Sequence, residues 1–94
     1  MSFYTYILTN RPNGTLYVGV TNNLAARIYA HKCKRGSKFT TQYGLDKLVY
    51  YETYDTPGAA IWREKRLKTW KRAWKVRLIL QMNPDWHDLY EELA

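Results

Sequence analysis

Aromatic and β-branched residues are concentrated in three short stretches that are separated by turn residues and by longer amphipathic segments. Residues 3–9 (FYTYILT), 15–21 (TLYVGVT) and 48–54 (LVYYETY) have the composition that is typical of β-strands. Between the first two, Asn13-Gly14 supplies residues that adopt the positive φ angles of a tight turn. The chain is therefore predicted to open with an antiparallel hairpin.

Helix signals lie between and after these strands. Leu24 and Ile28 are spaced i, i+4, basic residues follow, and Gly36 marks an end, while Thr56-Pro57 is a cap followed by proline at the first helical position. The predicted segments are a helix within 21–36, a loop at 37–44, a helix from Pro57 to about Lys71, a third helix to about Met82 and a short helix or turn beyond Pro84. The order ββαβαα predicts an α+β fold, in which helices pack against a small antiparallel sheet.

The net charge indicates the class of molecule that the protein is expected to bind. The 94 residues carry a formal net charge of +7, and residues 61–77 hold eight basic side chains and one acid, Glu64. Such an excess makes a polyanion the expected partner, and the basic stretch lacks the amphipathic pattern of a membrane anchor. No apolar run approaches the length of a membrane span, and no signal peptide is evident.

The number of cysteines indicates the redox environment in which the protein functions. The chain has one cysteine, Cys33, and no cluster of cysteine and histidine has zinc-binding spacing. A single thiol cannot form an internal disulfide, so a reducing cytoplasm fits best.

Gly19 interrupts the second predicted strand two residues after Tyr17. A glycine inside a strand marks a bulge, a close approach to the backbone, or a kink where the strand ends. The sequence leaves these readings open.

Arg27 and His31 are spaced i, i+4 on the first predicted helix, so they share a face. Histidine transfers protons near neutral pH, and the arginine fork matches phosphate. The pair belongs either to a phosphate site or to a solvated basic face.

Glu64 falls on the same predicted helical stripe as Ala60, Ile61 and Leu67. An inward carboxylate is unfavourable unless it is paired or binds a metal. Glu64 is therefore either half of a structural salt bridge, for instance with Arg27, or a functional residue.

Trp70, Trp74 and Leu78 form a further stripe, for which packing on the sheet is favoured over base stacking. Basic residues near the two helical regions are candidate phosphate contacts, with a solvated face as the alternative. The candidates are Lys32, Lys34, Arg35, Lys38, Lys68, Lys71, Arg72 and Lys75.

These residues together resemble the GIY-YIG nuclease superfamily, and in particular its small stand-alone bacterial members. The first motif reads Tyr4-Thr5-Tyr6 and the second Tyr17-Val18-Gly19, and they are followed by Arg27, His31 and Glu64 in the family's order. The resemblance implies a three-stranded antiparallel sheet flanked by helices. It implies one domain over residues 1–94, with a motif core at about 3–75 and a helical segment at about 72–92.

The resemblance also implies a reaction, the hydrolysis of phosphodiester bonds in DNA with one Mg²⁺ ion, for which Mn²⁺ substitutes. Glu64 would hold the metal, Arg27 the phosphate, and Tyr6 would activate water with help from His31 and Arg27. Tyr17 would position water or phosphate, and Gly19 would lie where the strand gives way to a loop beside the cleft.

Two departures from the family pattern refine this expectation. The late asparagine of many members has no counterpart before Asn83, and no separate DNA-recognition domain accompanies the motifs. The sequence therefore favours an endonuclease that is selective for DNA structure or depends on a partner protein, in repair or recombination. The alternative is a nucleic-acid-binding module, of DNA or RNA, with weak or no catalysis.

Overall fold

The computed structural model describes residues 1–93 and confirms the predicted fold class. A three-stranded antiparallel sheet is flanked by helices, and the chain ends in a 3₁₀ helix, Leu89–Leu93. The other elements, in chain order, are β1 (Phe3–Thr9), β2 (Leu16–Thr21), α1 (Leu24–Lys32), α2 (Lys38–Tyr43), β3 (Lys47–Tyr54), α3 (Pro57–Thr69) and α4 (Arg72–Met82). In the described part of the chain, no helix is long and apolar enough to span a membrane.

The sheet has the strand order β2-β1-β3, and helices cover both of its faces. Because successive side chains of a strand point to opposite faces, β1 contributes to two cores. On one face Tyr6 and Leu8 pack with Ile28 of α1. On the other face Ile7 packs with Leu67 of α3 and further residues of α4.

A bulge in β3 separates the regular parts of its pairing with β1. Ile7 pairs with Tyr50 and Leu8 with Leu48, which leaves Val49 as the extra residue. The side-chain amide of Asn83 donates to the carbonyl of Val49 at 3.2 Å. Asn83, the first asparagine after Glu64, is therefore a structural residue that joins the end of α4 to the sheet.

The hairpin is looser than predicted. Residues 10–15 separate β1 from β2, and a turn is closed by a hydrogen bond from Gly14 N to Arg11 O of 2.9 Å. Only Asn13 of the Asn13-Gly14 pair has a positive φ, of 58°. Pro12 and Asn13 thus occupy the central positions, as in a turn with positive φ at its third residue.

The prediction of a loop at 37–44 is wrong, because Lys38–Tyr43 form the helix α2. Ser37 and Thr40 cap its start reciprocally, and Gly44, at φ 64°, ends it. The preceding helix, α1, ends at Lys32, and Lys34 after it has a positive φ of 61°. The prediction that Gly36 ends this helix is therefore wrong.

Candidate active site

The Tyr6 ring lies across its cross-strand neighbour, Gly19. A Cβ atom at Gly19 would lie only 2.5 Å from the Cζ and Oη atoms of Tyr6. Gly19 pairs in regular register inside Leu16–Thr21, so the expectations of a strand-end kink and of a strand-to-loop boundary are wrong. The glycine leaves room for the tyrosine ring, which is 1% exposed.

His31 is buried beside Tyr6, with 3% of its surface exposed. Its Nε2 atom lies 3.1 Å from Tyr6 Oη, and its Nδ1 atom lies 3.1 Å from Thr40 Oγ1. A Cβ atom at Gly36 would overlap with the imidazole ring, so Gly36 also makes space for a functional side chain. The reading of His31 as part of a solvated face is therefore wrong.

Burial and the charge of Arg27 lower the pKa of His31 to about 4. The imidazole is accordingly neutral at pH 7. A neutral ring has one donor and one acceptor nitrogen, and its two neighbours are the hydroxyls of Tyr6 and Thr40.

Arg27 is half-buried and faces the two motif tyrosines. Its Nη2 atom donates to the carbonyl of Gly36 at 3.3 Å. A hydrogen bond to the Tyr6 phenol raises the pKa of Arg27, and Tyr17 contributes in the same direction. For Tyr6 itself, burial raises the pKa and outweighs the opposing effect of Arg27, so the phenol is protonated at neutral pH.

Tyr17 is less buried and lies at the rim of this group. Its ring meets the His31 ring edge-on, with centroids 5.8 Å apart, and stacks on Phe39 at 6.2 Å. The structure thus brings residues from β1, β2 and α1 together on one face of the sheet, as the sequence order implied.

Glu64 lies on α3. Ala60 and Leu67, one turn before and after it, are fully buried, and the Glu64 side chain is 13% exposed, as its helical stripe predicted. The placement of Ile61 on the same inward stripe is wrong, because Ile61 is 41% exposed. Its negative charge is one of the influences that raise the pKa of Tyr6. Its Oε2 atom pairs with Lys68 Nζ at 2.7 Å.

Glu64 therefore does form a salt bridge, which the sequence left open as one alternative, but its partner is Lys68 and not Arg27. Within residues 1–93, no group of three or more His, Cys, Asp or Glu side chains could hold a metal ion. The donor set offered to a metal is one carboxylate. That set suits Mg²⁺, which keeps several waters and takes its other ligands from substrate phosphate.

The predicted phosphate contacts separate into different surroundings. Lys34, Arg35 and Lys38 line a surface cavity of about 510 Å³, together with Ser37, Thr41 and Gln42. Lys32 does not join them, because its ammonium lies 2.5 Å from Asp88 Oδ2 and donates to the carbonyl of Asp46. Asp88, which belongs to the acidic tail, thus fixes Lys32 in a structural role.

The basic residues around the start of α4 surround two tryptophans. Trp70 packs against the core of α3 and α4, as predicted, but Trp74 is 45% exposed. Arg72 donates to the carbonyl of Asn13 at 2.9 Å. Burial and the neighbouring Arg72 lower the pKa of Lys75.

Sequence reasoning missed Thr40, Gly36 and Phe39. The loop predicted at 37–44 contains Thr40, although the spacing Ser37-x-x-Thr40 resembles a reciprocal helix cap, which is a signal for the start of α2. Nothing local could show that Thr40 contacts a histidine on another helix, because that contact depends on how α2 packs against α1.

Comparison with known proteins places this geometry in a family. The model of the GIY-YIG catalytic domain matches residues 2–77, and the chain belongs to the GIY-YIG family. This is a nuclease family, so the substrate that it implies is nucleic acid.

The proteins to which this chain is similar include small bacterial proteins. The chain is 37% identical over 76 residues to the UPF0213 protein SH2523 of Staphylococcus haemolyticus, covering 81% of this chain and 92% of that protein. It is 37% identical over 79 residues to a UPF0213 protein of Bacillus pumilus, covering 84% and 80%. The solution NMR structure of the UPF0213 protein BH0048 from Bacillus halodurans has 27% identity and a TM-score of 0.57, over 94% of this chain and 93% of that one.

Proposed function

We propose that this protein is an endonuclease that hydrolyses phosphodiester bonds in DNA with Mg²⁺, for which Mn²⁺ substitutes. The observation that carries the proposal is the hydrogen bond of 3.1 Å between the buried Tyr6 and His31, with the half-buried Arg27 beside them, in a chain of the GIY-YIG family. The negative charge of Glu64 contributes to the raised pKa of the Tyr6 phenol. The core members of the family's set, from Tyr6 to Glu64, are thus all present, which favours a nuclease over a binding module.

Arg27 has the properties of a phosphate contact. Its guanidinium is always charged, and its fork matches two phosphate oxygens. Only part of its hydrogen-bonding capacity is used by Gly36 and Tyr6. We assign to it the binding of the scissile phosphate and the stabilisation of negative charge in the transition state.

A cationic neighbour such as Arg27 favours a lower pKa of the Tyr6 phenol, but burial has the larger effect on it. Burial holds its pKa above the usual value, so a resting phenolate is disfavoured at pH 7. We assign to Tyr6 a relay role, in which its oxygen takes a proton from water while its own proton passes to His31 Nε2 across 3.1 Å. Tyr17, at the rim, orients water or phosphate.

Glu64 is the residue that would hold the metal, in place of its ion pair with Lys68. A bound divalent ion supplies stabilisation of the charge that develops on the phosphoryl oxygens and the leaving group. The side chain is buried enough to be fixed on α3, and it is open enough to exchange Lys68 for an ion.

The basic residues of the surface cavity bear on whether the nuclease recognises DNA sequence or DNA structure. Lys34, Arg35 and Lys38 suit phosphates, which carry no sequence information directly. We therefore propose selectivity for DNA structure, such as flaps, branches or single strands, in repair or recombination, with RNA as a further substrate to test and a partner protein as a source of specificity.

The test is a cleavage assay with labelled duplex, single-stranded, flapped and branched DNA and single-stranded RNA, in Mg²⁺, in Mn²⁺ and in EDTA. The variants are Glu64→Ala and, as a matched control, Glu91→Ala, whose side chain is exposed near the chain end. We expect metal-dependent cleavage that Glu64→Ala abolishes and Glu91→Ala leaves intact. Cleavage by Glu64→Ala at the wild-type rate would refute the metal assignment, and binding without cleavage on any substrate would favour the binding module.

A further inference from the structure

A small groove between the end of α3 and the outer surface of α4 is lined by two tryptophans. Trp70, Trp74, Arg77, Leu78 and Gln81 enclose a volume of about 220 Å³, which we call the tryptophan groove. The two indole rings meet edge-on, with centroids 5.9 Å apart, and Trp74 is 45% exposed. A large aromatic surface left open to water is unfavourable, so the groove needs an explanation other than core packing.

Positive charge surrounds the groove. The guanidinium of Arg63 lies 4.9 Å from the centre of the Trp70 ring, and the ammonium of Lys71 lies 5.8 Å from the centre of the Trp74 ring. Of the eight basic residues in 61–77, only Arg63 and Lys68 have an acidic partner in the described part of the chain. A second copy of this chain would bring like charges together, whereas a polyanion is complementary.

We propose that the tryptophan groove binds a base of single-stranded nucleic acid. Aromatic side chains set in a positively charged groove are the means by which proteins hold single strands, because every base has a face that can stack. Arg77 and Lys71 would contact the flanking phosphates. This inference names a substrate class for the nuclease proposed above and rests on that function, but the binding it describes needs no cleavage.

The test compares Trp74→Ala with Trp62→Ala. Trp62 is a matched control, since it is 60% exposed on α3 and lies beside Arg66, outside the groove. The probes are a fluorescein-labelled oligothymidylate, an abasic strand of equal length and a duplex, with EDTA present. We expect Trp74→Ala to weaken binding of oligothymidylate roughly five- to hundredfold and to leave the abasic strand and the duplex unchanged.

Equal losses in the two variants, or an equal loss on the abasic strand, would overturn the proposal. A wild-type dimer that Trp74→Ala dissociates would also overturn it in favour of a contact between copies. Urea unfolding of each variant checks that the fold is intact. A wild-type protein that binds through Trp74 but never cleaves would refute the proposed nuclease and leave this inference standing.

A different observation concerns Thr40, a buried hydroxyl beside His31. Three contacts form a chain that runs in one direction when the His31 proton is on Nδ1: Tyr6 to His31 Nε2 at 3.1 Å, His31 Nδ1 to Thr40 at 3.1 Å, and Thr40 to Ser37 at 3.2 Å. Thr40 Oγ1 lies 3.2 Å from the carbonyl of Ser37, which can only accept. The backbone N–H of Ser37 donates to Thr40 Oγ1 at 3.2 Å, and Ser37 Oγ lies 2.9 Å away, where either hydroxyl could donate. A Thr40 hydroxyl that donates to Ser37 has a lone pair left to accept from His31 Nδ1.

The opposite tautomer leaves a buried group without a partner. A proton on His31 Nε2 would be donated to the Tyr6 oxygen. The Tyr6 hydroxyl would then have no acceptor, and its side chain is 1% exposed. An unpaired buried donor costs about 1–3 kcal/mol, which is enough to select one tautomer.

We infer that Thr40 is a positioning residue that holds the His31 proton on Nδ1 and so keeps Nε2 open to the Tyr6 proton. The tautomer of a ligating or basic histidine is set by the hydrogen bond that its other nitrogen makes. This role rests on the proposed function for its consequence in catalysis, but the tautomer is a property of the free protein.

The test is long-range ¹H–¹⁵N NMR of the His31 ring in the wild type, Thr40→Val and Thr40→Ser. We expect the Nδ1-H tautomer in the wild type and in Thr40→Ser, and a loss of that preference in Thr40→Val, with kcat lowered roughly tenfold or more. An Nε2-H tautomer in the wild type would overturn the inference, even if Thr40→Val does not fold. So would a Thr40→Val protein that retains Nδ1-H.

Discussion

At the scale of single residues, two glycines determine where the proton-transfer groups can lie. The Tyr6 ring occupies the space that a side chain at position 19 would fill, and the His31 ring occupies the corresponding space at position 36. Neither glycine has a positive φ among residues 1–93. Their value therefore lies in the absent side chain and not in backbone freedom.

Replacing Gly19 by alanine should force Tyr6 to move, because the new methyl would lie 2.5 Å from its ring. We expect a loss of roughly 1–3 kcal/mol in the free energy of unfolding, measured by urea titration, and a loss of cleavage. Gly58→Ala is the control, since no atom lies within 4 Å of its added methyl and alanine favours a helix. Equal stability of Gly19→Ala and wild type would contradict the packing argument.

The buried His31 should make stability depend on pH. Its folded pKa of about 4 lies below the ordinary 6.5, so the unfolded chain takes up the proton first as the pH falls. The free energy of unfolding contributed by His31 is complete above pH 6.5 and declines towards pH 4, by about 1.4 kcal/mol per pH unit at most. Urea titrations from pH 7 to 4 should show a steeper decline for the wild type than for His31→Gln; parallel curves would refute the assignment.

At the scale of elements, the placement of Glu64 depends on how α3 is attached to the sheet. Thr5 Oγ1 donates to the carbonyl of Ala60 at 2.8 Å. At the outer strand, Arg63 Nε and Nη2 donate to the two oxygens of Glu52 at 2.9 and 3.0 Å. The hydroxyls of Tyr50 and Tyr54 also donate to Glu52.

Glu52 should accordingly be the acid whose loss destabilises the fold most clearly. Burial alone would raise its pKa, but the hydrogen bonds from Arg63 and the two tyrosines lower it overall. Glu52→Gln leaves Arg63 without its ion pair and should cost about 2–3 kcal/mol in urea unfolding. Glu91→Gln, at an exposed site, should stay within about 0.5 kcal/mol of the wild type. Matching losses in the two variants would show that the Arg63 pair contributes little.

At the scale of the whole molecule, positive charge occurs on both sides of the sheet. Lys34, Arg35 and Lys38 lie beyond α1, and the basic residues of α3 and α4 cover the opposite face. The group of Tyr6, His31 and Arg27 lies on the α1 side, and Glu64 reaches it from the other.

Binding should therefore weaken steeply with salt. Replacing Lys34, Arg35 and Lys38 together by glutamine should reduce the slope of log K against log salt by about 2 for single-stranded DNA. Lys47→Gln is the control, because Lys47 pairs with Asp46 and is expected to leave the slope unchanged. The measurement is fluorescence anisotropy between low and moderate salt. An unchanged slope in the triple variant would place the phosphates elsewhere.

The parts of the fold that the sequence predicted are those with strong local signals. Thr56 caps α3 with Pro57 at its first position, and Asn83 ends α4, as expected from local chemistry. Helix α2 was missed because it has six residues and little apolar periodicity. Its boundaries depend on the Ser37 cap and on packing against His31, and a periodicity argument detects neither.

The sequence by itself determined the strands, the main helices, the charge and the order of the candidate residues from Tyr6 to Glu64. Only the tertiary structure decided that His31 is neutral, that Glu64 pairs with Lys68, that Lys32 is held by Asp88 and that Trp74 is exposed. Spacing along a chain fixes the face of an element on which a residue lies. Protonation and pairing depend on burial and on neighbours brought from other elements, so they exist only when those elements have packed together.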